Sequence, residues 1–281
     1  MHHSSLTAAG PASTRELALR IRCRALEMVT RAKASHIGSA LSIADIVAVL
    51  YGRILRVDPA LPNHPERDRF ILSKGHACVA VYAALAEMGF IDPALLETYG
   101  NDGSSLMAHI SHKVPGAEFS TGALGHGLPF GTGKALAAKR HAKDWRTIVL
   151  TSDGEWDEGS NWEAALFAAH HKLDNLLCII DYNKLQSLTS VDATLRLEPL
   201  HSKFDAFGWA VREIDGHDHD ALSNVLDRGS WTSGKPAMLI AHTMKGKGVS
   251  FMENQVEWHY RNPTPELLAQ ALGEIEGTHH A

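Results

Sequence analysis

The amino-acid sequence predicts an α/β protein with a mainly parallel sheet covered by helices on both faces. Two patterns support this prediction. Short aliphatic or β-branched runs recur along the chain, and longer segments with a helical spacing of apolar residues separate them. A short and nearly continuous apolar run is typical of a strand that is buried on both sides. The alternation favours parallel pairing, because a helix returns the chain to the starting edge of the sheet.

The strands and helices can be assigned in order along the chain. We predict strands at 70–72, 147–150, 176–180, 209–214 and 237–241, each bounded by Asp, Gly, Ser or Asn. We predict helices at 16–32, 43–51, 77–88, 128–142, 160–171 and 220–227. The sequence has no internal repeat, so residues 1–281 are expected to form a single domain, with flexible ends at about 1–12 and 275–281.

Composition and charge exclude several classes of protein. The chain has 281 residues, of which 44% are hydrophobic and 21% charged, and this excludes a disordered or fibrous protein. Its formal net charge of −5 provides no basic field for nucleic acid or an anionic membrane. No apolar run approaches the roughly 20 residues of a membrane-spanning helix. No secretory signal is legible, so a cytoplasmic location is expected.

Cysteine and histidine usage narrows the possible metal sites. The three cysteines are far apart and include no C-x-x-C pair, which argues against a disulfide framework or a structural zinc site. The 18 histidines are unusually numerous, and their positions must decide their roles. The segment 216–220 contains two histidines and two aspartates. It suits a metal site, but the N-cap chemistry of a helix start explains it at least as well.

Candidate cation ligands follow two consecutive predicted strands. Asp153 follows the strand at 147–150, and Asn183 follows the strand at 176–180, thirty residues later. Because ligands bind at the carboxyl ends of parallel strands, these two side chains should lie side by side. A carboxylate, an amide oxygen and a main-chain carbonyl suit Mg²⁺ or Ca²⁺, with water and a diphosphate completing the shell. The alternative is that both residues only cap turns, and the spacing alone does not decide.

A glycine-rich segment, 121–133, leads into the helix predicted at 128–142. Its free backbone N–H groups could cradle a phosphate. The segment is not a nucleotide-binding loop, because Leu128 and Ala135 break that pattern, and Phe130 and Leu136 break the dinucleotide fingerprint. Nucleotide hydrolysis and nicotinamide binding therefore lose their main support.

Six motifs occur in one order along the chain. They are KASHIG at 33–38, DRFILSKGH at 68–76, His109 before Pro115-Gly116, STG and LGHG within 120–127, SDG, EG and WEA within 152–164, and KGKG at 245–248 before His259. In this combination the sequence resembles the N-terminal, diphosphate-binding domain of the transketolase family, from about residue 15 to about residue 265. The resemblance implies a three-layer α/β/α thiamin diphosphate-binding fold.

The resemblance also implies a metal and cofactor site. Three oxygen ligands would hold Mg²⁺, and they are Asp153, Asn183 and the main-chain oxygen of Leu185. Ca²⁺ or Mn²⁺ could substitute for Mg²⁺. Neutral donors would contact the diphosphate: His76, Gly125 and Gly154, with Asp153 and Asn183 beside them. Thiamin diphosphate would supply the carbon–carbon bond chemistry itself.

Three further histidines are implied to line the substrate channel: His36, His109 and His259. Imidazoles can donate, accept and shuttle protons near neutral pH, which suits the hydroxyl and carbonyl oxygens of a sugar. The alternative for each is a structural role, and the irregular segment around His259 makes its alignment less certain. Glu158 and Glu163 resemble acidic residues that link paired active sites at the subunit interface. The alternative to this interface role is that both residues only form the acidic first turn that many helices have.

The resemblance extends only to the first part of a single-chain transketolase, which continues with a pyrimidine-binding domain and a C-terminal domain. It therefore implies the N-terminal subunit of a split transketolase. We expect a separately encoded C-terminal subunit to supply the missing catalytic glutamate, in a heterotetramer with two copies of each subunit. At position 126 long single-chain relatives usually carry Gln, whereas short two-part relatives often carry His, as this sequence does.

Three functions follow from these expectations. The first is a transketolase-type transferase that moves a two-carbon ketol unit from a ketose or ketose phosphate donor to an aldose or aldose phosphate acceptor. The second keeps the cofactor but changes the donor or the reaction, as in unusual sugar catabolism or a synthase-type condensation. The third is a non-catalytic cofactor-binding subunit. The presence of all three channel histidines favours ketol transfer.

Overall fold

A five-stranded sheet lies at the centre of the computed structural model, which describes residues 13–279. All neighbouring strands are parallel, and their spatial order is β1-β2-β3-β5-β4. The strands are β1 (Arg69–Leu72), β2 (Thr147–Ser152), β3 (Leu176–Tyr182), β4 (Ala210–Asp215) and β5 (Ala237–His242). The five predicted strands are confirmed, with ends that differ by one or two residues.

Helices connect the strands and cover both faces of the sheet. They are α1 (Thr14–Ala32), α2 (Ile37–Ser42), α3 (Ala44–Val49), α4 (Cys78–Glu87), α5 (Gly127–Arg140), α6 (Gly159–His170), α7 (Val191–Thr194), α8 (Leu200–Ala206), α9 (His219–Leu226) and α10 (Pro265–His279). A π-helical turn, Leu50–Ile54, extends α3, and 3₁₀ turns occupy Gly75–Ala77, Pro93–Thr98, Gly154–Asp157, Arg228–Ser230 and Val256–His259. The six predicted helices are present, whereas α2, α7, α8 and α10 were not predicted.

The core consists of two apolar clusters on opposite faces of the sheet. Along β2, Ile148 and Leu150 pack with α1, α3 and α4, while Val149 points to the other face, toward α5 and α6. Successive residues of a strand alternate between faces, so a central strand buried on both sides must be apolar throughout. This arrangement confirms the predicted α/β/α fold with a parallel sheet.

The segment 216–220 begins a helix, as the capping interpretation predicted. The Asp218 side chain accepts hydrogen bonds from the main-chain N–H groups of Asp220 and Ala221, at 2.9 and 3.1 Å. Asp218 is thus the N-cap of α9. The neighbouring histidines, His217 and His219, both turn inward to Asp45 of α3.

The C-terminal segment differs from the prediction. We expected a flexible end from residue 275, but residues 275–279 continue α10, and Ile275 is buried in the core cluster that contains α1. Apolar contacts with this cluster stabilise a helix that the local sequence pattern indicates only weakly. The other predicted flexible residues, 1–12 and 280–281, lie outside the described residues. Within residues 13–279, no helix is long and apolar enough to cross a membrane.

Candidate active site

A cavity of about 300 Å³ lies at the carboxyl edge of the sheet. Parallel pairing aligns Ser152 at the end of β2 with Asp181 in β3, so the residues that follow are brought together. Most of the predicted site residues line this cavity: His36, His76, His109, Asp153, Gly154, Asn183, Leu185 and His259. A larger, more open cavity between α1 and α10 contains none of them in its lining.

Asp153 is a buried carboxylate, exposed by only 2%. Its Oδ1 accepts the main-chain N–H of Gly154 at 2.8 Å, and its Oδ2 accepts that of Lys184 at 2.7 Å. Burial, together with the neighbouring Asp181 carboxylate, raises the pKa of Asp153 to about 7. A divalent cation beside this group would stabilise its charged form and lower that pKa.

Asn183 supplies a second oxygen at the same edge. Its side-chain NH₂ donates to Asp181 at 3.0 Å, and its Oδ1 accepts the main-chain N–H of Leu185 at 3.1 Å. The amide is thus held from both ends. The Leu185 carbonyl accepts a hydrogen bond from the Lys245 ammonium at 3.1 Å and keeps a second lone pair.

These oxygens fit a hard cation. One carboxylate, one amide and one carbonyl form a partial oxygen shell of the kind that Mg²⁺ accepts when waters and phosphates complete it. Among residues 13–279, no group of three or more His, Cys, Asp or Glu could hold a metal ion, so a carboxylate- or imidazole-rich site is not formed.

The four predicted histidines form a cluster of rings around His36. Its ring centroid lies 5.0 Å from that of His76, 5.0 Å from that of His259 and 6.1 Å from that of His109. Burial lowers the pKa of His36 to about 4 and that of His259 to about 3. Burial and nearby Lys74 also hold the pKa of His76 well below its ordinary value. Because these three rings are neutral at pH 7, each can donate and accept a hydrogen bond.

The backbone of His36 is in the left-handed region, with a φ of 75°. Its N–H donates to the carbonyl of His259 at 2.8 Å, so two distant segments are tied together at the cavity. A non-glycine residue in this region is strained and depends on surrounding contacts. The structure thus brings His36 and His259 together, whereas their catalytic roles stay predictions.

The structure does not bring Gly125 into the cavity, and its contact with the diphosphate stays a prediction. Its N–H donates to the fully buried Glu155 at 3.1 Å, and its carbonyl accepts the Ser160 hydroxyl at 2.7 Å. Gly125 therefore offers no free donor and does not line the cavity. Gly122 and Leu124 of the same loop line it instead. The Gly154 N–H is likewise bonded to Asp153, although Gly154 does line the cavity.

Lys245 is the main site residue without a predicted role. It is exposed by only 1%, and it is the only lysine or arginine among the described residues that line the cavity. Its ammonium contacts the carbonyls of Leu185 and Gln186 at 3.1 and 3.0 Å and Nδ1 of His259 at 3.0 Å. Burial, reinforced by Lys74, lowers its pKa to about 8. The KGKG motif marked this position in the sequence but did not show that the side chain reaches the site.

Glu158 and Glu163 lie at the beginning of α6, and neither lines the cavity. Both are exposed, and the Glu158 side chain makes no capping hydrogen bond. Two large apolar side chains are exposed on the same helix, Leu166 by 54% and Phe167 by 40%. The two glutamates are thus accessible to a second chain, and their interface role stays a prediction.

The fold and the cavity define an α/β/α domain whose cavity is lined by oxygen atoms, imidazole rings and one ammonium group. Comparison with known proteins identifies the family. Residues 13–265 match the family described as "Transketolase, thiamine diphosphate binding domain", and the chain belongs to this family.

Individual relatives agree with the family match. The chain is 44% identical to an apulose-4-phosphate transketolase subunit of Phocaeicola vulgatus over 90% of each chain. It is 40% identical to the 6-deoxy-6-sulfo-D-fructose transketolase subunit SqwG of Clostridium sp. (strain MSTE9), over 91% of this chain and 94% of that protein. The solved transketolase of Leishmania mexicana aligns with a TM-score of 0.90 and 30% identity. That alignment covers 94% of this chain but only 41% of the Leishmania chain.

Proposed function

We propose that this chain is the N-terminal, thiamin diphosphate-binding subunit of a two-part, Mg²⁺-dependent transketolase-type transferase. One observation carries the proposal. A single cavity joins the oxygens of Asp153 and Asn183 to the imidazoles of His36, His109 and His259. A cation site and a group of imidazole donors and acceptors are the two features that a diphosphate cofactor and a sugar substrate require.

Asp153, Asn183 and the Leu185 carbonyl would hold Mg²⁺, which in turn would bind the diphosphate. The raised pKa of Asp153 supports this assignment, because a buried carboxylate without a cation is electrostatically unfavourable. The Lys245 ammonium would neutralise part of the remaining phosphate charge. When bound, thiamin diphosphate supplies the chemistry that breaks and forms the carbon–carbon bond.

His36, His109 and His259 would contact the sugar. Since the pKa values of His36 and His259 lie far below 7, these rings remain neutral and can orient hydroxyl or carbonyl oxygens without placing a charge in the channel. His36 and His259 are partly buried, whereas His109 is exposed at the mouth of the site. These properties favour the transferase over a non-catalytic cofactor-binding subunit, for which no channel histidine would be needed.

We propose that a C-terminal subunit carrying the pyrimidine-binding domain completes the enzyme, as a heterotetramer with two copies of each chain. The chain matches about two-fifths of the length of single-chain transketolases, for example 41% of the human protein at 35% identity. The relatives named as subunits, in contrast, are matched over most of their length. Glu158 and Glu163 would lie at the contact between subunits.

The donor is proposed to be a ketose that carries a terminal phosphate or sulfonate group. Ordinary ketose phosphates are one class. An unusual donor is the second candidate, because the relatives at 44% and 40% identity are named for apulose-4-phosphate and 6-deoxy-6-sulfo-D-fructose. A screen of ketose phosphates, apulose-4-phosphate and the sulfosugar, with the assembled enzyme, distinguishes these possibilities.

The first test is calorimetric titration of Mg²⁺ and thiamin diphosphate into the chain, alone and with its C-terminal subunit. Asp153→Asn keeps the size of the side chain but removes the charge, and Asp192→Asn, on the exposed first turn of α7, is the matched control. We expect Mg²⁺-dependent binding that is tightest with the partner, abolished by Asp153→Asn and unchanged by Asp192→Asn. Absence of Mg²⁺-dependent binding in every mixture would contradict the proposal.

A further inference from the structure

A second group of charged residues lies outside the cavity, around the buried carboxylate of Asp45. Arg22 of α1 contacts it through two nitrogens, at 3.1 and 2.5 Å. His217 Nδ1 lies 2.7 Å from one carboxylate oxygen, and His219 Nε2 lies 3.0 Å from the other. Although burial opposes it, Arg22 and the two histidines hold the pKa of Asp45 well below its ordinary range. Asp45 is therefore an ionised acceptor for all three side chains.

The hydrogen bonds of His217 define its tautomer. Its Nε2 lies 2.9 Å from the main-chain nitrogen of Met244, which can only donate. Nε2 is therefore the acceptor, and the proton of the neutral ring is on Nδ1, where it is donated to Asp45. His217 thus connects the buried carboxylate to the main chain at residue 244.

The same assembly holds the turn at 244–247 at a second point. Arg22 Nε donates to the carbonyl of Lys247 at 3.1 Å, while its other nitrogens bind Asp45. Between these points lies Lys245, whose side chain crosses into the cavity and contacts Leu185, Gln186 and His259. The main chain on both sides of Lys245 is therefore fixed by residues that do not touch the cavity.

We propose that Asp45 and His217 are positioning residues that hold the Lys245 ammonium in the cofactor cavity. A lysine side chain has four rotatable bonds, and its ammonium reaches one place only if the main chain beneath it is fixed. The part of this inference that concerns what Lys245 binds rests on the proposed function. The connection from Asp45 through His217 to Lys245 does not.

His219 provides a matched control for His217. Both histidines contact Asp45, and both are largely buried, with side-chain exposures of 14% for His217 and 6% for His219. The other ring nitrogen of His219, however, lies 2.8 Å from the Thr14 hydroxyl in α1 and not from the turn that carries Lys245. Removing either ring costs the Asp45 assembly one hydrogen bond, but only the loss of His217 frees Met244.

Amine labelling tests the connection in the chain by itself. The folded chain is treated briefly with acetic anhydride, and the acetylation of Lys245 is quantified by peptide mass spectrometry. We expect Lys245 to be protected in the parent and in His219→Ala and several-fold more reactive in His217→Ala. Lys74, buried in its ion pair with Asp181, is the internal reference. His217→Gln, which offers a side-chain oxygen to Met244, should restore much of the protection.

Equal labelling of Lys245 in His217→Ala and His219→Ala would overturn the proposal, since the effect would then reflect general loosening. A reactive Lys245 in the parent chain would overturn it as well. Thermal unfolding of each variant establishes that it is folded. If His217→Ala does not fold, His217→Leu, which fills the space of the ring but cannot accept the Met244 N–H, replaces it and is compared with His219→Leu.

Titration of thiamin diphosphate with Mg²⁺ into the complex with the C-terminal subunit tests the consequence. We expect His217→Ala to weaken binding by about tenfold, as the loss of a residue behind a ligand site commonly does, and Lys245→Met, which removes the charge itself, to weaken it at least as much. The double variant should bind no more weakly than Lys245→Met, because one residue acts through the other. Additive losses would contradict the proposal. If the parent binds no cofactor, the proposed function fails, and the labelling result still decides the positioning role.

Discussion

Lys74 and Asp181 form an ion pair in which both side chains are fully buried beside the cavity. Asp181 also accepts hydrogen bonds from Ser42 at 2.7 Å and from the Asn183 amide at 3.0 Å. Burial alone would raise the pKa of Asp181, but Lys74 outweighs it and keeps that pKa below its ordinary value. The pair therefore fixes the orientation of the amide that we propose as a cation ligand.

Replacing Lys74 with Met should destabilise the chain by about 3–5 kcal/mol, because a buried carboxylate would lose its counter-charge. Lys139→Met is the control, since Lys139 pairs with Asp174 at 2.6 Å where the side chains are exposed by 35% and 31%. That variant should cost about 0–1 kcal/mol. Urea unfolding measures both free energies. Similar losses in the two variants would show that burial does not determine the effect.

Gly125→Ala should destabilise the chain by about 1–2 kcal/mol or more. Gly125 has a φ of +80°, and an added Cβ would lie 2.6 Å from Ser160 Oγ and 2.7 Å from Glu158 Cβ. Gly133→Ala is the control, because Gly133 lies within α5 and an added Cβ there meets nothing within 4 Å. It should stabilise the chain by about 0.5–1 kcal/mol. Changes of the same sign in the two variants would contradict the assignment of backbone strain.

Acid should destabilise the chain through the cavity histidines. The folded-state pKa values of His36 and His259, about 4 and about 3, lie below the ordinary value of 6.5. The unfolded chain therefore binds more protons, and stability present above pH 6.5 is lost as the pH falls toward 4. His76, His109, Lys245 and Lys74 surround these rings and oppose their protonation.

His259→Gln should reduce this loss of stability, measured as the fall in melting temperature between pH 7.5 and pH 5. His141→Gln is the control, because His141 is exposed at the end of α5. The expectation fails if the His259 variant shows the same fall in melting temperature as the parent.

Glu163→Arg should weaken association with the C-terminal subunit by about tenfold, if exposed acids on α6 face the partner. Leu166 and Phe167 on the same helix are exposed by 54% and 40%, which suits a surface that is covered on assembly. Glu266→Arg, at an exposed position in the first turn of α10, should leave association unchanged. Sedimentation velocity of the two-subunit mixture measures both. Equal association of Glu163→Arg and the parent would place the interface elsewhere.

The sequence predicted the strands and the long helices because their patterns are local. A run such as 176–180 is buried on both sides and is therefore apolar throughout, so its assignment requires no distant contact. The adjacency of Asp153 and Asn183 was predictable for a related reason. Consecutive parallel strands end at one edge, and this places the residues after them together.

The short or weakly patterned helices were not predicted, because they depend on packing with distant segments and not on a local pattern. All six residues of α2 are buried, so it shows no amphipathic pattern, and α10 is stabilised by its packing in the core cluster of α1. A periodicity of apolar residues appears only where one face of a helix meets water.

The sequence by itself determined the fold class, the sheet edge that carries the site and most of the residues gathered there. Only the tertiary structure decided which of their polar atoms are available. The Gly125 N–H is taken by Glu155, and Lys245 reaches the cavity from a turn held by His217 and Arg22. These partners lie far apart in the sequence. A hydrogen bond between such segments is made or lost when the donor–acceptor distance changes by a few tenths of an ångström. The local sequence pattern therefore cannot reveal which donor meets which acceptor.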